Sequence, residues 1–319
     1  MFDVGFGFTI RSHFGSIVTL SKRLEALGFD AIAFPERLML GSPPVETSSA
    51  LPLLGVAAGA TVKPRLIAAV LQLPFYHPVM LAKMTSILDV ASGGRLTVGV
   101  GVGGESTREF GAMQVPINER GRRTDEALDL LGRVWTEEGV EFHGQYHDVT
   151  DVTINPRPVQ SPHPPIWIGG RTPAAMRRAA QYGNGWIPYL YSPEQYRLSV
   201  SRISELADSF GRDTLNFEWA LVLPVTIADT VDEATAIAVK RMQASYKSSK
   251  DLSELARKYC LLGPAEACAE RLLDYADAGV RWVIFQASVE AAEVEELITC
   301  LGREVIHRFR REWKDRARH

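Results

Sequence analysis

Short β-branched or aromatic runs alternate with helical patterns along the whole of this chain, and that alternation limits its fold more than any motif does. The strand-like runs are Asp3–Thr9, Asp30–Phe34, Arg65–Leu73, Arg95–Gly101, Pro165–Ile168, Gly185–Pro188, Phe217–Ile227 and Trp282–Gln286. Helical patterns follow them: Ser16–Leu27, Ser48–Thr61, Pro78–Val90, Glu119–Glu138, Pro173–Tyr182, Pro193–Ser209, Asp232–Tyr259, Pro264–Ala278 and Val294–Trp313. In the first of these, Ile17, Leu20, Leu24 and Leu27 fall on one face. Val140–Ile154 reads as a surface hairpin. Strict alternation predicts parallel strands joined by right-handed crossovers. Eight such units with no Ser/Gly/Pro-rich linker predict one closed (β/α)8 barrel, a TIM barrel, spanning 1–319 as a single domain. A doubly wound open sheet with a helical lid is the alternative. An eight-unit barrel needs about 250 residues. The surplus falls in 140–154, in a helical insertion or lid at 229–262 before the last strand, and in the C-terminal helix.

Composition narrows the function. Apolar residues are 46% and charged residues 23%, which excludes a disordered or fibrous chain. A net charge of −3, from 35 basic and 38 acidic side chains, argues against a nucleic-acid or anionic-membrane binder. The three cysteines, Cys260, Cys268 and Cys300, match no zinc spacing and suit a reducing compartment. The apolar stretch Ala50–Ala60 is too short to span a bilayer, and the start MFDVGFGFTI has no basic region before its apolar residues. The expectation is a cytoplasmic protein acting on a small molecule, with no nucleic-acid or membrane partner. There is no Gly-x-Ser-x-Gly elbow, no His-Glu-x-x-His and no P-loop, so hydrolysis and nucleotide-triphosphate chemistry have little support.

In such a barrel the active site lies on the loops after the strands. The residues there are Arg11, Ser12 and His13; Glu36 and Arg37; Gln72, Tyr76 and His77; Gly103, Gly104 and Glu105; Gly169, Gly170, Arg171 and Thr172; Tyr189 and Tyr191; and Gln286. Gly99-Val100-Gly101-Val102-Gly103-Gly104 has the form G-x-G-x-x-G, but a helix stands where a dinucleotide fold needs its second strand. What survives is a glycine-rich strand end that a flat or charged ligand can approach, followed by a helix start with Ser106 and Glu109 as a capping box. Ile166-Trp167-Ile168-Gly169-Gly170-Arg171-Thr172-Pro173 is a better anion site: Thr172 is a natural N-cap, Pro173 a natural first helical residue, and Arg171 stands beside the free N–H groups. Arg177 and Arg178 are expected to face solvent. Glu36-Arg37 suits either a proton relay or a rim salt bridge. His143 and His147 are four apart, but glycine and aromatics between them argue for a turn and against a metal pair. Trp167 and Trp186 are expected in the core.

With these residues in view, the chain resembles the luciferase-like monooxygenase superfamily, in its branch of oxidoreductases dependent on the deazaflavin coenzyme F420. The carriers are Leu27-Gly28-Phe29-Asp30, His77-Pro78, Ala82-Lys83, Ser92-Gly93-Gly94-Arg95-Leu96 running into Gly99-Val100-Gly101, Glu119-Arg120-Gly121 with Asp125-Glu126, Trp135, and Phe142-His143-Gly144. The most diagnostic are Pro164-Pro165-Ile166-Trp167-Ile168-Gly169-Gly170 and Gly183-Asn184-Gly185-Trp186. The resemblance implies a barrel that binds the deazaflavin, or alternatively FMN, in its mouth. It implies a non-prolyl cis peptide at Ala69-Val70 in a bulged third strand, with Gln72 nearby, pressed against the ring. Gly101, Val102, Gly103 and Gly104, and the loop Gly169, Gly170, Arg171 and Thr172, would hold the cofactor and its phosphate. Family members commonly carry an acid followed by histidine after the second strand, whereas this chain has Glu36 and then Arg37. The expected reaction is hydride transfer to or from a small organic substrate, with Glu36 and Arg37 near it and His13 and His77 as proton partners. An FMN-dependent monooxygenase and a non-catalytic cofactor-binding relative are the alternatives within the family. A barrel hydrolase or isomerase for a phosphorylated substrate is the alternative outside it. A homodimer is also implied, and no metal.

Overall fold

The computed structural model describes residues 3–11, 16–41, 45–104, 106–246 and 250–316. Its strands are β1 (Gly5–Thr9), β2 (Ala31–Phe34), β3 (Arg65–Gln72), β4 (Leu96–Gly101), β5 (Val140–His143), β6 (Asp148–Val152), β7 (Ile166–Gly169), β8 (Gly185–Ile187), β9 (Glu218–Ile227), β10 (Leu261–Gly263) and β11 (Trp282–Ala287). The ring runs β9-β11-β1-β2-β3-β4-β7-β8, and β8 pairs back onto β9 to close it. Every ring pairing is parallel. The expected (β/α)8 barrel is therefore present, and the open sheet is excluded.

The helices are α1 (Ile17–Ala26), α2 (Ala50–Ala60), α3 (Pro78–Ser92), α4 (Thr107–Ala112), α5 (Arg120–Thr136), α6 (Pro173–Tyr182), α7 (Pro193–Ser209), α8 (Val231–Tyr246), α9 (Ser253–Tyr259), α10 (Ala265–Asp277), α11 (Val294–Cys300) and α12 (Ile306–Arg316). Alternation along each strand sorts side chains into two cores. Phe6, Phe8, Ile32, Phe34, Val98, Val100 and Phe285 face the helices. Ala31, Ala33, Ile67, Trp167, Ile187, Ala220 and Ile284 fill the lumen. Trp167 and Trp186 are both fully buried, as expected.

The Ser-Gly-Gly-Arg stretch ahead of β4 has a structural task. Gly93 ends α3 in the left-handed conformation (φ 70°). Arg95 then donates to the carbonyls of Ala58, Thr61, Pro64 and Ser92 and to the Thr61 hydroxyl at 2.7–3.1 Å. It thereby satisfies carbonyls at the end of α2 that have no partner within the helix.

Three local expectations change. The 232–259 region is two helices, α8 and α9, with Thr230 capping the first through Glu233 N–H at 3.1 Å. These helices make their own small core from Ala234, Ala238, Met242, Ala256, Cys260 and Leu262. After them β10 pairs with the far end of β9, outside the ring. The C-terminal helix is broken by a π-helical stretch, Leu301–Val305. Arg178 does not face solvent: it is 7% exposed and its Nε donates to Asp125 at 2.6 Å, joining α6 to α5. Arg177 is exposed, as expected.

Candidate active site at the barrel mouth

The feature that shapes the mouth is in β3. Its pairing with β4 shifts between Ala68 and Leu71, and the Ala69–Val70 peptide is cis, at the position the resemblance implied. The bulge turns Val70 toward β4 and β7. A Cβ placed on Gly99, Gly101 or Gly169 would stand 3.1, 3.0 or 3.3 Å from a Val70 methyl, and on Gly99 also 2.1 Å from the Ala68 carbonyl oxygen. Only glycine lets β4 and β7 pass this close beneath the side chain. The result is a Val70 side chain seated on the bare backbone of β4 and β7 and, with Ala69, partly exposed, a surface against which a flat ligand can lie.

Beside that surface stands Glu36, at the end of β2. Its Oε1 accepts from the Gln72 backbone N–H at 3.1 Å and its Oε2 from the Tyr76 hydroxyl at 2.5 Å. Burial raises the Glu36 pKa, and the nearby Glu109 carboxylate pushes the same way, against the lowering effect of the bonds from Tyr76, Gln72 and Ala50. Burial and then the Glu36 charge push the Tyr76 phenol upward. A carboxyl group that keeps its proton longer than usual, in a cleft, suits proton exchange with a bound molecule.

Glu109 was expected to cap α4, and this is corrected. Ser106 makes no side-chain cap bond, and α4 is only six residues long. The Glu109 side chain points inward and is fully buried. Its Oε1 accepts from the N–H groups of Leu38 and Met39 at 2.8 and 3.2 Å and from Gln72 Nε2 at 3.4 Å. Its Oε2 lies 3.3 Å from Arg37 Nη2. Gly103 (φ 63°) lets the β4 loop pass Gln72, since a Cβ there would be 2.5 Å from Gln72 Oε1.

The second loop has the form expected of it. Thr172 caps α6 by accepting from Ala175 N–H at 3.2 Å, with Pro173 next. Trp186 Nε1 donates to the Gly170 carbonyl at 2.9 Å and fixes the loop from below. The Arg171 guanidinium is exposed at the rim, 4.7 Å over the Tyr189 ring.

The structure thus brings Glu36, Arg37, Ala69, Val70, Gln72 and the glycines of both loops to one end of the barrel. His77 is exposed and N-terminal to α3, with its ring edge-on to His147 at 5.6 Å, outside the Glu36–Glu109 group. His147 is held by Glu126 at 3.0 Å and His143 by Asp148 at 2.7 Å. Among the described residues no group of three or more His, Cys, Asp or Glu could hold a metal, and no helix is long and apolar enough to cross a membrane. His13, Ser12 and Glu105 lie outside the described residues. Two open grooves elsewhere, of about 870 and 460 Å³, run over α10 and are lined by charged surface residues such as Arg271 and Asp274. None of Glu36, Arg37, Val70, Gln72 and Glu109 lines either groove. Sequence reasoning missed the inward role of Glu109. Its local spacing carried no signal of this, because the groups it holds lie some seventy and some forty residues away in the chain.

Comparison with known proteins agrees with this geometry. The family model for luciferase-like monooxygenases matches residues 6–281. An FMNH(2)-dependent dimethylsulfone monooxygenase of Pseudomonas putida is 30% identical over 221 residues, 68% of this chain and 60% of that protein. An F420-dependent glucose-6-phosphate dehydrogenase of Microbacterium testaceum is 27% identical over 316 residues, 90% of this chain and 91% of that one. The crystal structure of a monooxygenase from Streptomyces bottropensis has the same fold, with a TM-score of 0.84 at 24% identity, covering 96% of this chain and 99% of that one.

Proposed function

Because the chain belongs to the luciferase-like monooxygenase family, we propose that it is an oxidoreductase that uses the deazaflavin coenzyme F420 to move a hydride to or from a small organic substrate. The observation that carries this reading is Val70, seated on the glycine backbone of β4 and β7 and placed beside a buried, proton-retaining Glu36. Hydride transfer to a carbonyl needs a proton for its oxygen, and the reverse reaction needs a group to take one.

The residues fit such a cofactor. A Cβ on Gly101 or Gly169 would press on Val70 and push it toward the space where a planar ring would lie. The Thr172-capped start of α6, with Arg171 at its side, suits a phosphate. When bound, the deazaflavin supplies a two-electron hydride donor or acceptor that reacts poorly with dioxygen. Val70 and the strand ends beneath it would hold the ring. Glu36, steadied by Tyr76 and Gln72, exchanges the proton with substrate. Arg37 cannot serve in place of the missing histidine, because a guanidinium does not give up its proton.

The test is a fluorescence titration of the purified protein with F420 and, anaerobically, with reduced FMN. F420 is expected to bind at least about tenfold tighter, a difference of about 1.4 kcal/mol. Tighter FMN binding with dioxygen consumption would select the monooxygenase reading. Binding of neither would leave the barrel for a phosphorylated substrate. We also propose that the protein is a homodimer. Light scattering should then give twice the 35.2 kDa chain mass at micromolar concentration, and a monomer mass would refute it.

A further inference from the structure

We propose that Glu109 is a positioning residue for the barrel mouth: its one buried carboxylate ties the ends of β2 and β3 to α4 and so holds the Glu36 carboxyl group in place to exchange a proton with substrate. This rests on reading the mouth as an active site.

Each link is a direct contact between named atoms. Glu109 Oε1 holds the backbone of Leu38 and Met39, just after Glu36 and Arg37, at 2.8 and 3.2 Å. The same oxygen takes the Gln72 carboxamide at 3.4 Å, while the Gln72 backbone N–H donates to Glu36 at 3.1 Å. Gln72 is therefore a bridge with one carboxylate at each end. Among the described residues Glu109 Oε2 accepts no hydrogen bond, and it faces the Arg37 guanidinium at 3.3 Å. A carboxylate with no exposed surface, carried on a six-residue helix, is an expensive way to stabilise a fold. It is explained if the loop after β2 must be held in one conformation.

The arrangement has an electrostatic consequence. The groups facing Glu36 are the Tyr76 hydroxyl, the N–H groups of Gln72 and Ala50, and the Glu109 charge, with Arg37 paired to Glu109 beyond. Replacing Glu109 by glutamine removes a like charge and also removes the ion pair that Glu109 makes with Arg37. Both changes favour ionised Glu36. Replacing Arg37 by glutamine leaves Glu109 uncompensated and favours protonated Glu36. Replacing both restores a neutral neighbourhood.

The experiment follows the carboxyl carbon of Glu36 by NMR in protein labelled with 13C-glutamate, using Glu36→Gln to assign the resonance. Glu109→Gln is expected to lower its titration midpoint by about one pH unit, a tenfold change in ionisation. Arg37→Gln should raise it, and the double variant should return close to wild type. A midpoint that does not move in folded Glu109→Gln overturns the proposal. Should that variant not fold, Arg37→Gln reads the same coupling with opposite sign, and no movement there overturns it equally. The titration needs neither cofactor nor substrate, so its failure is distinct from a failure to bind F420 or FMN.

Discussion

Glu36→Gln is expected to lower turnover by about 10²- to 10⁴-fold, the range of a lost proton-transfer group, while cofactor affinity stays near that of the wild type. Glutamine keeps an oxygen for the Gln72 N–H, and its NH2 can donate to the Tyr76 oxygen where the carboxylate accepted from it, so the loop should hold its shape. It has no proton to give. The pH dependence follows from the raised pKa of Glu36, caused first by burial. The native chain holds this proton more tightly than the unfolded chain does. The stability the group contributes is thus fully present below the unfolded value near 4.5, and it is lost as pH rises through the folded value. Glutamine never ionises and carries no such loss. The variant should therefore melt higher than the wild type at pH 8 and show little advantage at pH 4. Wild-type turnover in the direction that consumes a proton should fall as pH rises through the folded pKa, and the variant should lack that limb. Rates and melting temperatures measured from pH 4 to 9 test all of this. Turnover within tenfold of the wild type would remove Glu36 from the chemistry.

The barrel was legible because its signal is repeated. Each strand buries both faces, so runs such as Arg65–Leu73 read as continuous apolar segments whatever their neighbours do. Thr172 and Pro173 were legible for a different reason: helix capping is decided within four residues, and the sequence contains all of them. Glu109 and Arg178 were not, because their surroundings come from distant parts of the chain. Local spacing makes Glu109 a cap and Arg178 a surface charge, and only the folded chain supplies Leu38, Gln72 and Asp125. The bulge at Ala69–Val70 was reached through the resemblance alone. Nothing in Leu66-Ile67-Ala68-Ala69-Val70-Leu71 distinguishes it from a regular strand, since the glycines that admit it belong to β4 and β7.

Glu109 and its neighbours also explain how the mouth works with arginine after Glu36. The Arg37 charge is directed at Glu109 and away from proton transfer. The remaining acid with a raised pKa is Glu36, and its partner is a phenol that donates a hydrogen bond. Under the proposed function, proton exchange is concentrated in Glu36, whose environment is set by Glu109.

The opposite end of the barrel sets the other large effect, which is on stability. Arg65 Nη1 and Glu218 Oε1 lie 2.5 Å apart at the start of β3 and β9, and Glu218 Oε2 accepts from Trp167 Nε1 at 2.7 Å. The Arg65 guanidinium also lies 4.7 Å over the Trp282 ring. These side chains close the floor of the lumen, and about a quarter of the pair's side-chain surface is exposed. Glu218→Ala leaves a guanidinium and an indole N–H without their acceptor in a mostly enclosed space. The expected cost is about 3 kcal/mol, toward the low end for a broken buried pair because of that partial exposure. In a chain of this size that lowers Tm by roughly 4–5 °C. Arg65→Met should cost a similar amount, since it strands the carboxylate instead. The two sites touch, so their effects should not add. The double variant Arg65→Met with Glu218→Met buries no unpaired charge and should be more stable than either Arg65→Met or Glu218→Ala. Thermal melts of these variants and of Glu218→Met test this, and a double variant whose loss equals the sum of the Arg65→Met and Glu218→Met losses would show that the pair is not coupled. Cofactor affinity should not change in any of them, because the floor lies at the opposite end of β3 from Gln72 and the mouth.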